Sequence, residues 1–286
     1  MAFVIPIVAG VAFSMAASKI YAYFKTPAQS PPPPPTPEMT QKLMIKNAQE
    51  KLGMDIENHY NLAVCGNSGT GKSTFINCIR SVIDVEYSDA FVYIDSGPAP
   101  SGINETTMMP THYCWPNNEF PYLSIWDMPG GGTQKHPGET YFDDKTLYAF
   151  DCLLLLKSGR FTQLDTDIYR KAVEYKIPIA IVLTKADNDI KSRVKIKTAE
   201  LRRKLTKIEY AALMDETIRQ LKNNVKSELM AAGFPEPNLS AVFVVAAQSY
   251  RDEKLGYLDD IDCPPLETEK LFLACCHIAI YRRSNA

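Results

Sequence analysis

Eight consecutive residues have the types and spacing to cradle a phosphate chain: Gly66, Asn67, Ser68, Gly69, Thr70, Gly71, Lys72 and Ser73. They fit G-x-x-x-x-G-K-[ST]. Glycines let the backbone turn sharply, so that successive N–H groups point inward at phosphate oxygens. Lys72 brings a charge that reaches the β- and γ-phosphates, and the Ser73 hydroxyl is a ligand for Mg²⁺. Thr74 opens a helical pattern whose positive N-terminal end adds to the same field. A Gly-rich turn without a ligand is the bland alternative. Against it stand the apolar run 60–65 before the motif and the helical pattern 74–83 after it, which puts Phe75, Ile76, Ile79 and Ile83 on one face.

Three further motifs choose the nucleotide. Asp127 follows the strand-like run 122–126 and opens Asp127-Met128-Pro129-Gly130. An acid at the end of a strand beside a P-loop holds Mg²⁺, usually through water, and the Gly130 N–H is placed to sense the γ-phosphate. Thr184-Lys185-Ala186-Asp187 ends the run 177–184 and matches [NT]-K-x-D. The Asp187 carboxylate accepts from guanine N1–H and the 2-amino group together, a donor pair that adenine lacks. Lys185 packs along the loop and the base. Glu105-Thr106-Thr107 lies between the P-loop and Asp127. A threonine hydroxyl there closes over Mg²⁺ when a γ-phosphate is present, which makes Thr107 a second metal ligand. Each short motif alone occurs by accident, but the order and spacing of all four match a regulatory-type GTPase.

The elements that must position these residues read as an α/β pattern. Strand-like runs at 60–65, 90–94, 122–126, 151–157, 177–184 and 241–246 alternate with helical stretches at 74–83, 142–150, 163–175, 200–232 and 265–281. Short Val/Ile/Leu runs suit strands covered on both faces. The expected fold class is therefore a P-loop NTPase: a Ras-like, mainly parallel, six-stranded sheet with helices on both faces, preceded by an amphipathic helix. Residues 59–286 form the GTPase domain. Residues 38–58 form the amphipathic helix, with Met39, Leu43, Ala48 and Leu52 as its expected apolar face and Thr36 as its N-cap. Residues 26–37 are a proline-rich linker, whose run from Pro31 to Pro35 is a stiff polyproline II spacer; an SH3-type ligand is the sharper alternative. The charged stretch 191–222 reads as a solvated helical face.

Residues 1–25 form a hydrophobic N-terminal segment. Its first 18 residues carry no charged side chain. As a helix they reach about 27 Å. Lys19 and Lys25 follow, with Tyr21, Tyr23 and Phe24 nearby, a mixture suited to a membrane interface. A cleaved signal peptide is one reading, since Ser14-Met15-Ala16 resembles a cleavage site, although no basic residue precedes the apolar run. A helix packed on the protein is another. The reading adopted is a single-pass membrane anchor with the GTPase domain on the cytosolic face. Ala2 excludes N-myristoylation. The net charge of −2 gives no reason to expect nucleic acid. Seven cysteines, an odd count with no C-x-x-C pair, argue for a reducing compartment. Cys65 and Cys152 read as small core residues, and the Cys275-Cys276 pair as plain helix residues rather than a redox or acylation site.

From about Pro37 onward the sequence resembles the immunity-related GTPase family, the interferon-inducible p47-type GTPases. The carriers are Asn104 to Met108, Ile125 to Gly130, Thr140-Tyr141-Phe142, Gly159-Arg160-Phe161, Leu183 to Asp187, Gly233 to Pro237 before Val242 to Val245, Asp262 to Leu266, and Ile280 to Arg283. The resemblance implies GTP binding, slow hydrolysis to GDP and phosphate, nucleotide-dependent self-association and action at intracellular membranes. It carries Gly66, Gly71, Lys72 and Ser73 onto phosphate and Mg²⁺, Thr107 onto the switch, Asp127 and Gly130 onto the γ-phosphate sensor, and Asp187 onto guanine. It sets the backbone of Ala246 and Ala247 against the base and makes Glu105 the acid that supports hydrolysis. It also implies continuation into a long C-terminal helical domain, whereas this sequence stops at Ala286 and leaves functions of that domain in question. No Gln follows Gly130; Gly131 and Gly132 stand there, so no side chain is available at those positions to orient water, and intrinsic turnover is expected to be slow. A rival class is a slow or inactive GTP-dependent membrane tether that recruits partners. A simple ATPase is opposed by Asp187.

Overall fold

The computed structural model describes residues 36–83, 97–100, 109–116, 120–131, 138–234, 241–257 and 263–284. The chain divides into two units, Met1–Leu43 and Met44–Ala286. Of the first, only Thr36 and the opening of helix α1 (Pro37–Leu52) are described. Thr36 caps it as expected, its Oγ1 accepting from the Met39 N–H at 3.3 Å. The predicted apolar face does not hold. At 100° per residue Met39 and Ala48 lie about 180° apart. Met39 and Leu43 are accordingly exposed, while Ala48 is buried and Met44, Ile45 and Leu52 pack beside it in the core.

The second unit is built on one sheet: β1 (Tyr60–Cys65), β2 (Thr111–Cys114), β3 (Leu123–Asp127), β4 (Cys152–Lys157), β5 (Ile179–Leu183) and β6 (Val242–Val244). Their order is β2-β3-β1-β4-β5-β6. β2 runs antiparallel to β3, and every other pairing is parallel. The period-2 alternation of side chains supplies two cores. Ala63, Cys65, Leu153, Leu155, Ile181 and Leu183 face one layer. Leu62, Val64, Cys152, Leu154, Leu156 and Val182 face the other. Both faces are thus dry, as expected of a parallel sheet covered by helices. The helices are α2 (Lys72–Ile79), α3 (Tyr141–Asp144), α4 (Gln163–Glu174), α5 (Ala186–Leu201), α6 (Lys207–Ala231), α7 (Ala247–Lys254) and α8 (Thr268–Ser284). Cys275 is buried in α8, and all seven cysteines are free thiols.

Several element expectations are corrected. The strand read at 90–94 lies outside the described residues, as does most of the linker. β2 was not anticipated, because Thr111, His112 and Cys114 are only half-buried on an edge strand and show no apolar run. The stretch 142–150 is not one helix: α3 is a single turn, and Thr146, at φ 50°, breaks the chain before a short 3-10 turn at Leu147–Ala149. The stretch 200–232 begins inside one helix and continues in another. Arg202, at φ 53°, ends α5, and Thr206 with Glu209 forms a capping box that starts α6 afresh.

The single-pass anchor is also corrected. No helix among the described residues is long and apolar enough to cross a membrane. The run 1–18 on which the expectation rested lies outside those residues. Its sequence is weak for a span: eighteen residues reach about 27 Å against a hydrocarbon core of about 30 Å, with Pro6 and Gly10 inside the run.

Candidate functional site

All the phosphate, metal and base motifs that the structure describes follow C-terminal ends of parallel strands. The P-loop follows β1, Met128-Pro129-Gly130 follows β3, Thr184 to Asp187 follows β5, and Ala246-Ala247 follows β6. In an open α/β sheet that edge is where ligands bind. The central position of β1, with β3 on one side and β4 on the other, puts the P-loop at the middle of this edge.

The loop's shape comes from its glycines. Gly66 has φ +130°, and a Cβ there would stand 2.5 Å from the Leu156 carbonyl oxygen on β4. Gly71 sits at φ 87° as the residue before α2, whose first residue is Lys72. Lys72 is 7% exposed. Its Nζ donates to the carbonyl oxygens of Asn67 at 2.8 Å and Gly66 at 3.4 Å, so the cation lies along the loop it is expected to serve. Thr70 Oγ1 donates to the same Asn67 carbonyl at 2.9 Å.

Two predicted metal ligands meet. Ser73 Oγ donates to Asp127 Oδ2 at 2.6 Å, and Asp127 is fully buried. A hydroxyl and a carboxylate are hard oxygen donors, the set that suits Mg²⁺ when substrate phosphates and waters complete its shell. The donor chemistry therefore fits the ion. Among the described residues no cluster of three or more His, Cys, Asp or Glu side chains is arranged to hold a metal by itself. Thr107 and Glu105 lie outside the described residues.

The loop after β3 is docked on the P-loop. Gly131 N–H donates to the Gly66 carbonyl, and Ser68 N–H donates to the Gly131 carbonyl, each at 3.2 Å. Gly130 permits this approach: a Cβ there would stand 2.7 Å from Ser68 Cα. Tyr141 Oη secures the loop from behind by donating to the Pro129 carbonyl at 2.7 Å.

The loop predicted to read the base is tied to the same frame. Thr184 Oγ1 donates to the carbonyls of Thr70 and Lys157, each at 3.3 Å. Lys185 adopts φ 62° at the start of α5, and its Cε lies 4.0 Å from where a Gly71 Cβ would stand, so its stem runs across the P-loop. Asp187, in the first turn of α5, faces Lys191 with 3.6 Å between Oδ2 and Nζ. Ala246 precedes α7, and its N–H donates to the Pro265 carbonyl at 3.5 Å; Ala247 is the first residue of that helix.

Sequence reasoning missed residues that hold this frame. Asn77 bonds both polar groups of Ala99, donating from Nδ2 at 2.8 Å and accepting at Oδ1 at 2.6 Å. Arg80 is 1% exposed and donates to the carbonyls of Cys114 and Gly97, each at 2.9 Å. Burial pulls its pKa down to about 10. Asn77, on α2, and Arg80, at its C-cap, grip chain before the segment carrying Glu105 and Thr107, and Arg80 also grips chain after it. Their signal was available: an Asn and an Arg at i, i+3 beside an otherwise apolar helix face. Asn67 belongs to the predicted phosphate loop through its backbone; its side chain points to the start of α4, donating to Thr162 Oγ1 at 2.8 Å and Asp165 Oδ1 at 2.9 Å.

A family model described as interferon-inducible GTPase (IIGP) matches residues 39–255. T-cell-specific guanine nucleotide triphosphate-binding protein 2 of Mus musculus is 29% identical over 223 residues, 78% of this chain and 46% of that protein. Interferon-inducible GTPase 1 of Mus musculus is 35% identical over 130 residues, 46% of this chain and 29% of that protein. The chain thus spans about half the length, or less, of these curated relatives. Among solved structures, the LeoA bacterial dynamin GTPase from ETEC aligns with a TM-score of 0.47 at 13% identity, over 84% of this chain and 42% of that one.

Proposed function

The chain belongs to the interferon-inducible GTPase family, and on that premise we propose that it binds GTP with Mg²⁺ and hydrolyses it to GDP and phosphate. The observation that carries the reading is the 2.6 Å contact between Ser73 Oγ and Asp127 Oδ2, which joins the metal donors of two separate motifs beside the buried Lys72. When bound, Mg²⁺ would neutralise triphosphate charge and orient the phosphates. The chain's own part is positioning and electrostatics. Lys72, held by the Asn67 carbonyl, reaches the β- and γ-phosphates. Backbone N–H groups of Gly69 to Thr74 face phosphate oxygens, and the Gly130 N–H reports the γ-phosphate. Glu105 supports attack by water, and Thr107 closes the switch. Asp187 accepts from guanine, Thr184 ties the base loop to the P-loop, and the backbone of Ala246 and Ala247 borders the base.

Self-association in the GTP state and contact with a membrane surface, without a span, belong to the same proposal; the family resemblance supports both. Steady-state phosphate release from GTP and ATP, measured against protein concentration, tests the reading. GTP-selective turnover that rises per molecule with concentration is expected. Equal use of ATP, or no guanine-nucleotide binding at all, would refute it.

A further inference from the structure

The P-loop's second residue is held from outside the loop, by a buried carboxylate that no phosphate-site motif contains. Asp165 is 1% exposed. Its Oδ2 accepts from the Thr162 N–H at 2.8 Å and from Thr162 Oγ1 at 2.9 Å, which completes the capping box of α4. Capping needs no burial. The chain contains a control: Thr206 and Glu209 form the same box at the start of α6, in solvent, with Arg203 as the acid's outer partner. There the Glu209 carboxyl is held down to about 2 by Arg203 and the Thr206 donors. At Asp165 burial outweighs the same kind of bonds and pushes the carboxyl up. A buried acid is costly unless it is fully bonded. Here the bond beyond the local box is the one from Asn67 Nδ2 at 2.9 Å.

What Asn67 holds in turn is the phosphate machinery. Its carbonyl accepts from Lys72 Nζ and Thr70 Oγ1. The N–H at the other end of that peptide unit, on Ser68, donates to Gly131. The orientation of this planar unit decides whether the loop turns a carbonyl or an N–H toward an anion. Both amide hydrogens of Asn67 are engaged, one by Thr162 and one by Asp165.

Building on the GTPase reading above, we propose that Asn67 and Asp165 form a clamp that positions the Asn67–Ser68 peptide and, through it, Lys72 for the triphosphate, with Asp165 acting as a positioning residue.

The test uses the full chain with a fluorescent GTP analogue and Mg²⁺. Asn67→Ala should raise the Kd and the KM about tenfold, with kcat held within about twofold, because the clamp acts on ground and transition states alike. A defect only in α4 packing would lower the active fraction, and so apparent kcat, and leave KM alone. Asn67→Asp sets two acids against each other and should weaken binding by more than tenfold. The pair Asn67→Asp with Asp165→Asn reverses the polarity, so that an amide on α4 donates to a carboxylate on the loop while its oxygen still accepts from Thr162. This exchange should restore affinity to within about threefold of native. Native affinity in Asn67→Ala, or an Asn67→Asp loss that the exchange fails to restore, overturns the clamp. If the native chain binds no guanine nucleotide, the GTPase reading fails first and takes the clamp with it, a result that needs no variant.

Discussion

Gly66 and Gly69 stand three residues apart in one loop, both with positive φ, yet the structure assigns them different costs. Gly66 has φ +130°, and its added Cβ would lie 2.5 Å from the carbonyl oxygen of Leu156. Leu156 cannot withdraw cheaply, since β4 is paired on its far side with β5 at Leu156↔Val182. Gly69 has φ +76° and nothing within 4 Å of its added Cβ. Gly69→Ala therefore pays only for the left-handed backbone, about 1–2 kcal/mol. Gly66→Ala adds the cost of forcing backbone apart in a packed sheet, about 1–3 kcal/mol, for a total of about 2–5 kcal/mol. Against a typical stability of about 5–15 kcal/mol this is a large fraction. Trp115 and Trp126 are both buried, so unfolding in urea is readable by intrinsic fluorescence. The midpoint for Gly66→Ala should fall well below that of Gly69→Ala at unchanged slope. Equal midpoints would refute the assignment of Gly66 to strand packing.

Other outcomes are specific to single contacts. Gly130→Ala should lift the loop after β3 off Ser68 and cost about 1–3 kcal/mol, and hydrogen exchange should show faster loss of protection at the Ser68 and Gly131 amides. Lys72→Ala and Ser73→Asn should each abolish triphosphate binding while circular dichroism stays native, the first by removing the phosphate cation and the second by disturbing a metal donor; native-like affinity in both would dismiss the P-loop assignment. Asp187→Asn should weaken GTP and admit xanthine nucleotide in competition binding, because an amide donates to the 2-oxo group. Glu209, held down from 4.5 to about 2, favours the folded state above its ordinary range and loses that contribution as pH falls toward about 2. An NMR titration should place its midpoint near the lower value, and Arg203→Ala should move the midpoint upward.

The motifs were legible in sequence because each is local. A P-loop works through consecutive backbone groups, so its spacing alone predicts its chemistry, and Thr184 to Asp187 is readable for the same reason. β1, β3, β4 and β5 were also legible, since strands buried on both faces read as largely apolar runs, here interrupted only by single buried polar residues such as Asn61 and Ser124. The edge strand β2 was not, because a half-buried strand of Thr, His, Tyr and Cys carries no such run. The split between α5 and α6 turned on Arg202 in a left-handed conformation, an event that no periodicity announces, although Thr206 and Glu209 did mark the restart. The apolar face read across Met39 and Ala48 failed because spacings of four and five residues sum to half a turn out of phase.

The proposed phosphate, metal and base chemistry thus rests on residue type at short range, and the α/β class was legible with it. Tertiary structure alone decided which residues hold that chemistry in place. Ser73 and Asp127 are 54 positions apart and meet at 2.6 Å because β1 and β3 pair in parallel with Val64 opposite Asp127. Asn67 reaches Asp165 across 98 positions only because β4 lies beside β1 and delivers the start of α4 to the P-loop. Such contacts depend on strand register. A one-residue slip in β1, β3 or β4 would turn every side chain to the opposite face, so the burial pattern of the whole sheet, rather than any motif, selects them.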